Sequence, residues 1–306
     1  MKQVKFKNQR WLNVVDPSKD ELAQLQKKYK FHELDIEDCI EGSQRPKVDE
    51  YEKYLFIVLQ FPVYNKRHKR FDTGQLNLFI GQNYLITVHR GGLKPLDKIF
   101  DTCKSSLKKR REYFGQSTGY LLYELISSLF DSMFPITDKL QLSLKKIEQD
   151  IFEARRPKDQ LLEIMVLKKN IITLRRIVLP QRPVIATLEH KQKRFLPEDL
   201  VIYFDDVVDR IERLWGLLET QKEIIESLED TNESLLSHNI NSTIRTLTVF
   251  SAIMLPLTFL TGLFGMNVKL PFFQALEDGG HFWTILILVF VIGLTMFGVF
   301  KWKRWI

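Results

Sequence analysis

The chain has 306 residues, 45 of them Lys or Arg against 38 Asp or Glu, and a formal net charge of +7. That length builds one or two sizeable domains, and the basic clusters Lys66-Arg67-His68-Lys69-Arg70 and Lys108-Lys109-Arg110-Arg111 are too short and too poor in aromatics to read as a nucleic-acid surface. Two cysteines, Cys39 and Cys103, without CxxC spacing exclude a disulfide framework and a zinc knuckle and fit a reducing cytoplasm.

Met1-Lys2-Gln3-Val4-Lys5-Phe6-Lys7 has no apolar signal-peptide core, so the large N-terminal part is expected to stay inside the cell. Residues 11–15 read as a strand, and Pro17-Ser18 opens a helix to about Lys28. Residues 54–59 form a buried strand. Residues 76–80 and 84–88 flank Gly81-Gln82-Asn83 as a hairpin. A helix over 96–106 completes a small α/β domain.

From Tyr120 the period changes from two to 3.6. Leu121, Leu122, Leu125, Ile126 and Leu129 share one stripe, and the pattern predicts a helix to about Ala154. Arg156-Pro157 breaks it, and a second helix is expected over 159–188. A third opens near Pro197-Glu198-Asp199 and meets no glycine or proline before the apolar region except Gly216. Ile211, Leu214, Leu218, Ile225, Leu228 and Leu235 keep one face apolar, while Glu219, Glu223, Glu226, Glu229 and Glu233 keep another wet. Unbroken to Phe264, such a helix is about 100 Å long at about 1.5 Å per residue. An apolar stripe of that length implies neighbouring copies; the alternative is a kinked helix folded back on the preceding pair.

The charge is divided unevenly: the tail Lys301, Lys303 and Arg304 carries +3, residues 241–300 sum to zero, and residues 1–240 hold +4. Residues 246–264 and 282–300 are uncharged runs of nineteen, close to the roughly 20 needed to cross a hydrocarbon core. Trp283, Trp302 and Trp305 sit at the edges of the second run, where aromatic belts form. The basic tail places the C-terminus in the cytoplasm, and two spans return the N-terminal part to that side. Along the first run Asn241, Ile244, Leu247, Thr248, Ser251, Leu255, Thr258 and Gly262 recur at steps of three and four. A polar, small-residue face of this kind suits close helix packing and a water-compatible pore lining equally. Pro256 lies mid-span, where neighbouring groups can satisfy the freed carbonyl.

Gly265-Met266-Asn267 follows the first span and precedes a short external loop. Upstream of it stand Met254-Leu255-Pro256-Leu257-Thr258-Phe259 and Thr261-Gly262-Leu263-Phe264. Still earlier come Gln44-Arg45-Pro46-Lys47-Val48, Tyr54-Leu55-Phe56-Ile57-Val58-Leu59, Tyr120-Leu121-Leu122-Tyr123 and Tyr203-Phe204-Asp205-Asp206-Val207. In content and order these segments resemble the CorA family of magnesium and cobalt channels, over nearly the whole chain. The resemblance implies a funnel-shaped homopentamer in the cell membrane. Each subunit would have an α/β cytoplasmic domain of α/β/α build over 1–115, a long-helix region over 116–240 and a membrane all-α hairpin over 241–306. Both termini would be cytoplasmic. It implies passage of Mg²⁺, with Co²⁺, and no other cofactor. Asn267 would offer amide oxygens to the waters of an ion that dehydrates reluctantly. Gly265 would allow a sharp turn, and Met266 would pack to hold it. The pore face would be Asn241, Leu247, Ser251, Leu255 and Thr258, with Ile244 and Leu247 near a hydrophobic constriction. Asp38 and Asp206, with Glu37 beside them, match carboxylates that bind a regulatory divalent ion between neighbouring subunits. On the sequence alone these are ordinary surface or N-cap acids.

After the motif the family often carries Met-Pro-Glu-Leu, whereas this chain has Val268-Lys269-Leu270-Pro271-Phe272-Phe273, with Glu277 and Asp278 following. Lys269 places a positive charge near the mouth, and zinc-transporting ZntB proteins share the motif with altered loops. A membrane-anchored coiled-coil scaffold or sensor would explain the long helix and both spans, but has no need of Asn267 at the membrane exit. The chain has no P-loop, GxSxG or HExxH and its six histidines are scattered, so no enzyme is expected.

Overall fold

The computed structural model describes residues 1–115, 117–153, 157–190, 200–266, 280–303 and 305. They fall into two compact units, Met1–Glu229 and Asp230–Ile306.

In the first unit six strands make one sheet: β1 (Lys2–Phe6), β2 (Gln9–Val15), β3 (Lys47–Glu50), β4 (Leu55–Asn65), β5 (Arg70–Gly81) and β6 (Tyr84–His89). Their spatial order is β1-β2-β6-β5-β4-β3, with β2 and β6 parallel and every other pair antiparallel. The period of two divides the side chains between two cores. Leu12, Val14, Phe56, Val58, Phe79, Ile86 and Val88 pack on α1 (Lys19–Tyr29) and α2 (Glu33–Glu41). Trp11, Leu55, Ile57, Leu59, Leu76, Leu78 and Leu85 face the later helices. The unit is therefore an α/β/α sandwich. α1 begins where Pro17-Ser18 predicts, and there Ser18 caps it, its hydroxyl accepting from Glu21 N while the Glu21 carboxylate accepts from Ser18 N. The β5–β6 turn is likewise where Gly81-Gln82-Asn83 places it.

The remaining helices are α3 (Lys94–Ser105), α4 (Leu107–Phe114), α5 (Thr118–Asp131), α6 (Phe134–Phe152), α7 (Pro157–Val178), α8 (Arg182–His190), α9 (Val201–Phe264) and α10 (Gly280–Trp302). Two expected helices are each divided. The run from Tyr120 breaks at Ser132-Met133, where Pro135 enters the first turn of α6 without an N–H to continue the ladder. The run over 159–188 breaks at a 3₁₀ turn, Leu179–Gln181, which carries Pro180. The buried Gln181 side chain then does a strand's work. β3 pairs with β4 only as far as Val58, and the Gln181 amide donates to Gln60 O at 2.7 Å and accepts from Gln60 N at 3.1 Å. This closes an edge that would otherwise be open.

The third helix runs unbroken over 64 residues from Val201 to Phe264. Its opening at 197–199 lies outside the described residues. The stripe Ile211, Leu214, Leu218, Ile225 and Leu228 is buried within the chain's own core, while Leu235 is exposed. Up to Leu228 the stripe therefore needs no neighbouring copy, which corrects the expectation drawn from its length. Ion pairs Lys168–Glu229, Arg175–Glu219 and Arg182–Glu212 link α7 and α8 to α9.

In the second unit α9 and α10 are long and apolar enough to cross a membrane. Over residues 246–264 of α9, Val249, Ala252, Ile253, Pro256, Leu257, Leu260 and Phe264 are the covered or half-covered positions. In α10 they are Ile285, Val289, Ile292, Gly293, Met296 and Phe300. Both sets step by three and four, the spacing of one helical face. A Cβ built on Gly293 would stand 3.5 Å from Leu257 Cδ1, so the two stripes meet.

Candidate functional site

That contact fixes which side of α9 is left free. At about 100° per residue, the eight positions Asn241, Ile244, Leu247, Thr248, Ser251, Leu255, Thr258 and Gly262 centre roughly 160° from the α10 stripe. All eight are exposed, Leu255 to 70%. Thr248 and Thr258 turn their hydroxyls back to Ile244 O and Met254 O at 2.8 Å each, which leaves their methyl groups and oxygens on the surface without stranding a donor in an apolar medium. The face is amphipathic and unoccupied by the chain's own second apolar helix.

At its end, Gly265 N still donates to Thr261 O at 2.9 Å, extending the ladder by one bond. A Cβ there would come within 3.1 Å of that same oxygen, so the position is tight for any larger residue. Met266 is exposed within the chain. Asn267, the loop residues 268–273, Glu277 and Asp278 lie outside the described residues, as does Arg304 of the basic tail.

The candidate regulatory acids lie in the first unit, each already facing a cation. Asp38 sits on the inner side of α2, almost fully buried, and its Oδ2 is 2.7 Å from Lys47 Nζ. Lys47 Nζ is also 2.7 Å from Asp49 Oδ2. Burial works against the Lys47 charge, but the hydrogen bonds to Asp38 and Asp49 outweigh it and hold its pKa above the ordinary lysine value. Asp206, on α9, is about half exposed and pairs with Arg210 Nη2 at 2.6 Å. Arg210 in turn reaches Asp131 Oδ2 and Ser127 Oγ on α5, each at 2.7 Å. Glu37 is exposed. Within the chain Asp38 and Asp206 are engaged by different cations, Lys47 and Arg210. Among the described residues no group of three or more His, Cys, Asp or Glu is placed to hold a metal.

One turn before Asp38, the buried Asp35 accepts from Tyr54 Oη at 2.7 Å and Tyr51 Oη at 3.0 Å. Burial raises its pKa against the opposing effect of those two hydroxyls. Lys47 and Asp49 escape a reading of the sequence as site residues. Their signal is faint: a Lys-x-Asp alternation on one strand face, behind an acidic helix.

The family described as CorA-like Mg2+ transporter protein matches residues 7–304. The chain is 28% identical over 298 residues to the cobalt/magnesium transport protein CorA of Thermotoga maritima, covering 97% of this chain and 83% of that protein. It is 24% identical over 299 residues to the zinc transport protein ZntB of Yersinia enterocolitica, covering 97% and 88%. The solved CorA magnesium transporter of Methanocaldococcus jannaschii superposes with a TM-score of 0.86 at 24% identity, covering 100% of this chain and 95% of that one.

Proposed function

The chain belongs to the CorA-like Mg2+ transporter family, and from that premise we propose that it passes Mg²⁺, and Co²⁺ with it, into the cell as a homopentamer of the cell membrane. The family consists of membrane transporters and not enzymes. The observation that carries the reading is the exposed face of α9 from Asn241 to Gly262, set opposite the stripe that α10 covers. Five copies arranged about an axis would turn these faces inward and line a path with hydroxyls, an amide and small residues. Ile244 and Leu247 would form a constriction that closes by dewetting. At the outer end a ring of Asn267 amide oxygens would accept hydrogen bonds from the ion's waters, cheaper than stripping them from Mg²⁺. Gly265 and Met266 would hold that ring. The 1–115 α/β domain and the 116–240 helices would stand in the cytoplasm with both termini, and the 241–306 hairpin in the bilayer.

Cytoplasmic divalent metal would hold this channel closed, bound between Asp38 of one subunit and Asp206 of the next with Glu37 nearby. A zinc-carrying function is the second reading, favoured by the ZntB likeness and by Lys269 in place of an acidic loop residue. Uptake into liposomes by the purified protein, comparing Mg²⁺, Co²⁺, Ni²⁺ and Zn²⁺, decides between them. Mg²⁺ and Co²⁺ entry is expected. Entry of Zn²⁺ alone would establish the second reading, and no entry of any of the four would overturn both.

A further inference from the structure

Lys47 and Asp49 lie two apart in β3 and so share the face turned toward α2. The Lys47 ammonium stands 5.5 Å from the centroid of the Phe56 ring, and Phe56 is the residue paired with Asp49 across the ladder. The ammonium is thus held between an aromatic face and two carboxylates. Those carboxylates come from different elements and converge on one point, 2.7 Å from each.

We propose that Lys47 is a tethered cation, held in place by Asp49, that competes with divalent metal for Asp38 and so raises the metal concentration at which the channel closes. This rests on the reading of Asp38 as a regulatory ligand. A metal ion bonded to Asp38 Oδ2 and an ammonium at 2.7 Å from the same oxygen repel each other, and the ion enters only as Lys47 withdraws toward Asp49. Asp35, one turn earlier on α2, does not relieve the competition, because it is engaged by Tyr51 and Tyr54. The Asp206 end differs. Arg210 keeps Asp131 and Ser127 when Asp206 turns to a metal, so its release is not required there. A closed state favoured by metal shifts only by the ion's differential affinity for it, and Lys47 subtracts from that affinity.

The test is protease protection of the full-length protein in liposomes, titrated with Mg²⁺ and separately with Co²⁺. Lys47→Met keeps a long unbranched side chain at this position and removes the charge. Its half-protecting concentration should fall about two- to fivefold, the scale of a partly exposed ion pair, and Lys47→Gln should behave alike. Lys47→Arg should stay near wild type. An unchanged or higher midpoint in both Lys47→Met and Lys47→Gln, with protection lost in Asp38→Ala, would overturn the role of Lys47 and leave Asp38 as a ligand. A wild-type midpoint in Asp38→Ala would remove Asp38, and the proposal with it.

Discussion

Helix α9 passes through both units, and the same helix is finished in opposite ways. In the first unit one apolar stripe is spent inside the chain, with Phe204, Val207, Ile211, Leu214 and Leu218 buried in its core, while Ile202 and Leu217 stay exposed. In the second, Ile244, Leu247, Phe250, Leu255 and Phe259 are more than half exposed, and α10 presents Phe282, Ile287 and Phe290 in the same way. Water rewards the first arrangement and penalises the second. The second arrangement suits a lipid solvent, since the backbone groups of these helices are satisfied within the helix apart from the ends and the Ala252 carbonyl that Pro256 leaves without its usual donor. One unit is a structure the chain largely completes alone, and the other is a surface awaiting its surroundings.

The sharpest way to break this comparison is at Asn267. If the second unit acts through polar groups on its free face and exit rather than through packing, Asn267→Ala should reduce liposome uptake to background while assembly and thermal unfolding stay at wild type. Near-normal uptake would take Asn267 out of the mechanism. Next come two truncations on the one helix. Phe204→Ala should lower the unfolding free energy by about 3–5 kcal/mol through an unfilled cavity, and Leu255→Ala by under about 1 kcal/mol, both followed by thermal unfolding in detergent. Equal losses would show that the 244–259 face is packed after all. A smaller effect is expected at Gln181. Gln181→Ala strands the N–H and C=O of Gln60 at the edge of β4 and should cost about 1–3 kcal/mol, read by the same unfolding and by faster amide exchange at Gln60.

The sequence made the finished unit's centre legible and its margins illegible. The apolar runs of β4, β5 and β6 are long and β-rich, and Pro17-Ser18 announces α1. α2 and β3 are illegible because both are short and carry Asp35, Asp38, Lys47 and Asp49, charges that look like loop without their partners. Pro135 and Pro180 divided two helices that periodicity alone joins, since the apolar pattern continues across each break. The free face of α9 was readable at steps of three and four, but the choice between packing and pore needed the α10 stripe. The pairing of Asp206 with Arg210, four residues on, is the kind of contact spacing suggests and only coordinates weigh.

The smallest effect separates the two units by acid. His89 closes β6 inside the first unit, buried, with its Nε2 3.1 Å from Asn13 Oδ1. Gly91 N donates to His89 Nδ1 at 3.2 Å, so the ring proton belongs on Nε2, where it is donated to Asn13. Asn13 Oδ1 also accepts from Thr87 Oγ1 at 2.9 Å, and Trp11 Nε1 donates to that hydroxyl at 3.1 Å. A second proton on the ring would take Nδ1 from Gly91 and place a charge in the core. Burial accordingly lowers the His89 pKa, with Asp97 opposing weakly. The sign follows from proton counting. Below about 6.5 the unfolded chain takes up a proton that the folded chain still refuses, so acid favours unfolding. The contribution is complete above that pH, declines as pH falls toward the depressed native value, and is gone below it. Asp35, whose pKa is raised, works with the opposite sign, so the measurement is the difference between wild type and His89→Gln. Between neutral pH and mildly acid pH the wild type should lose more stability than the variant, read by thermal unfolding. The eight exposed positions on α9 hold no titratable side chain, so uptake by intact protein should not follow the same curve. Identical pH dependence in wild type and His89→Gln would show that the ring takes up its proton as readily in the fold as in the unfolded chain, and that the finished unit tolerates in its core what its hydrogen bonds argue against.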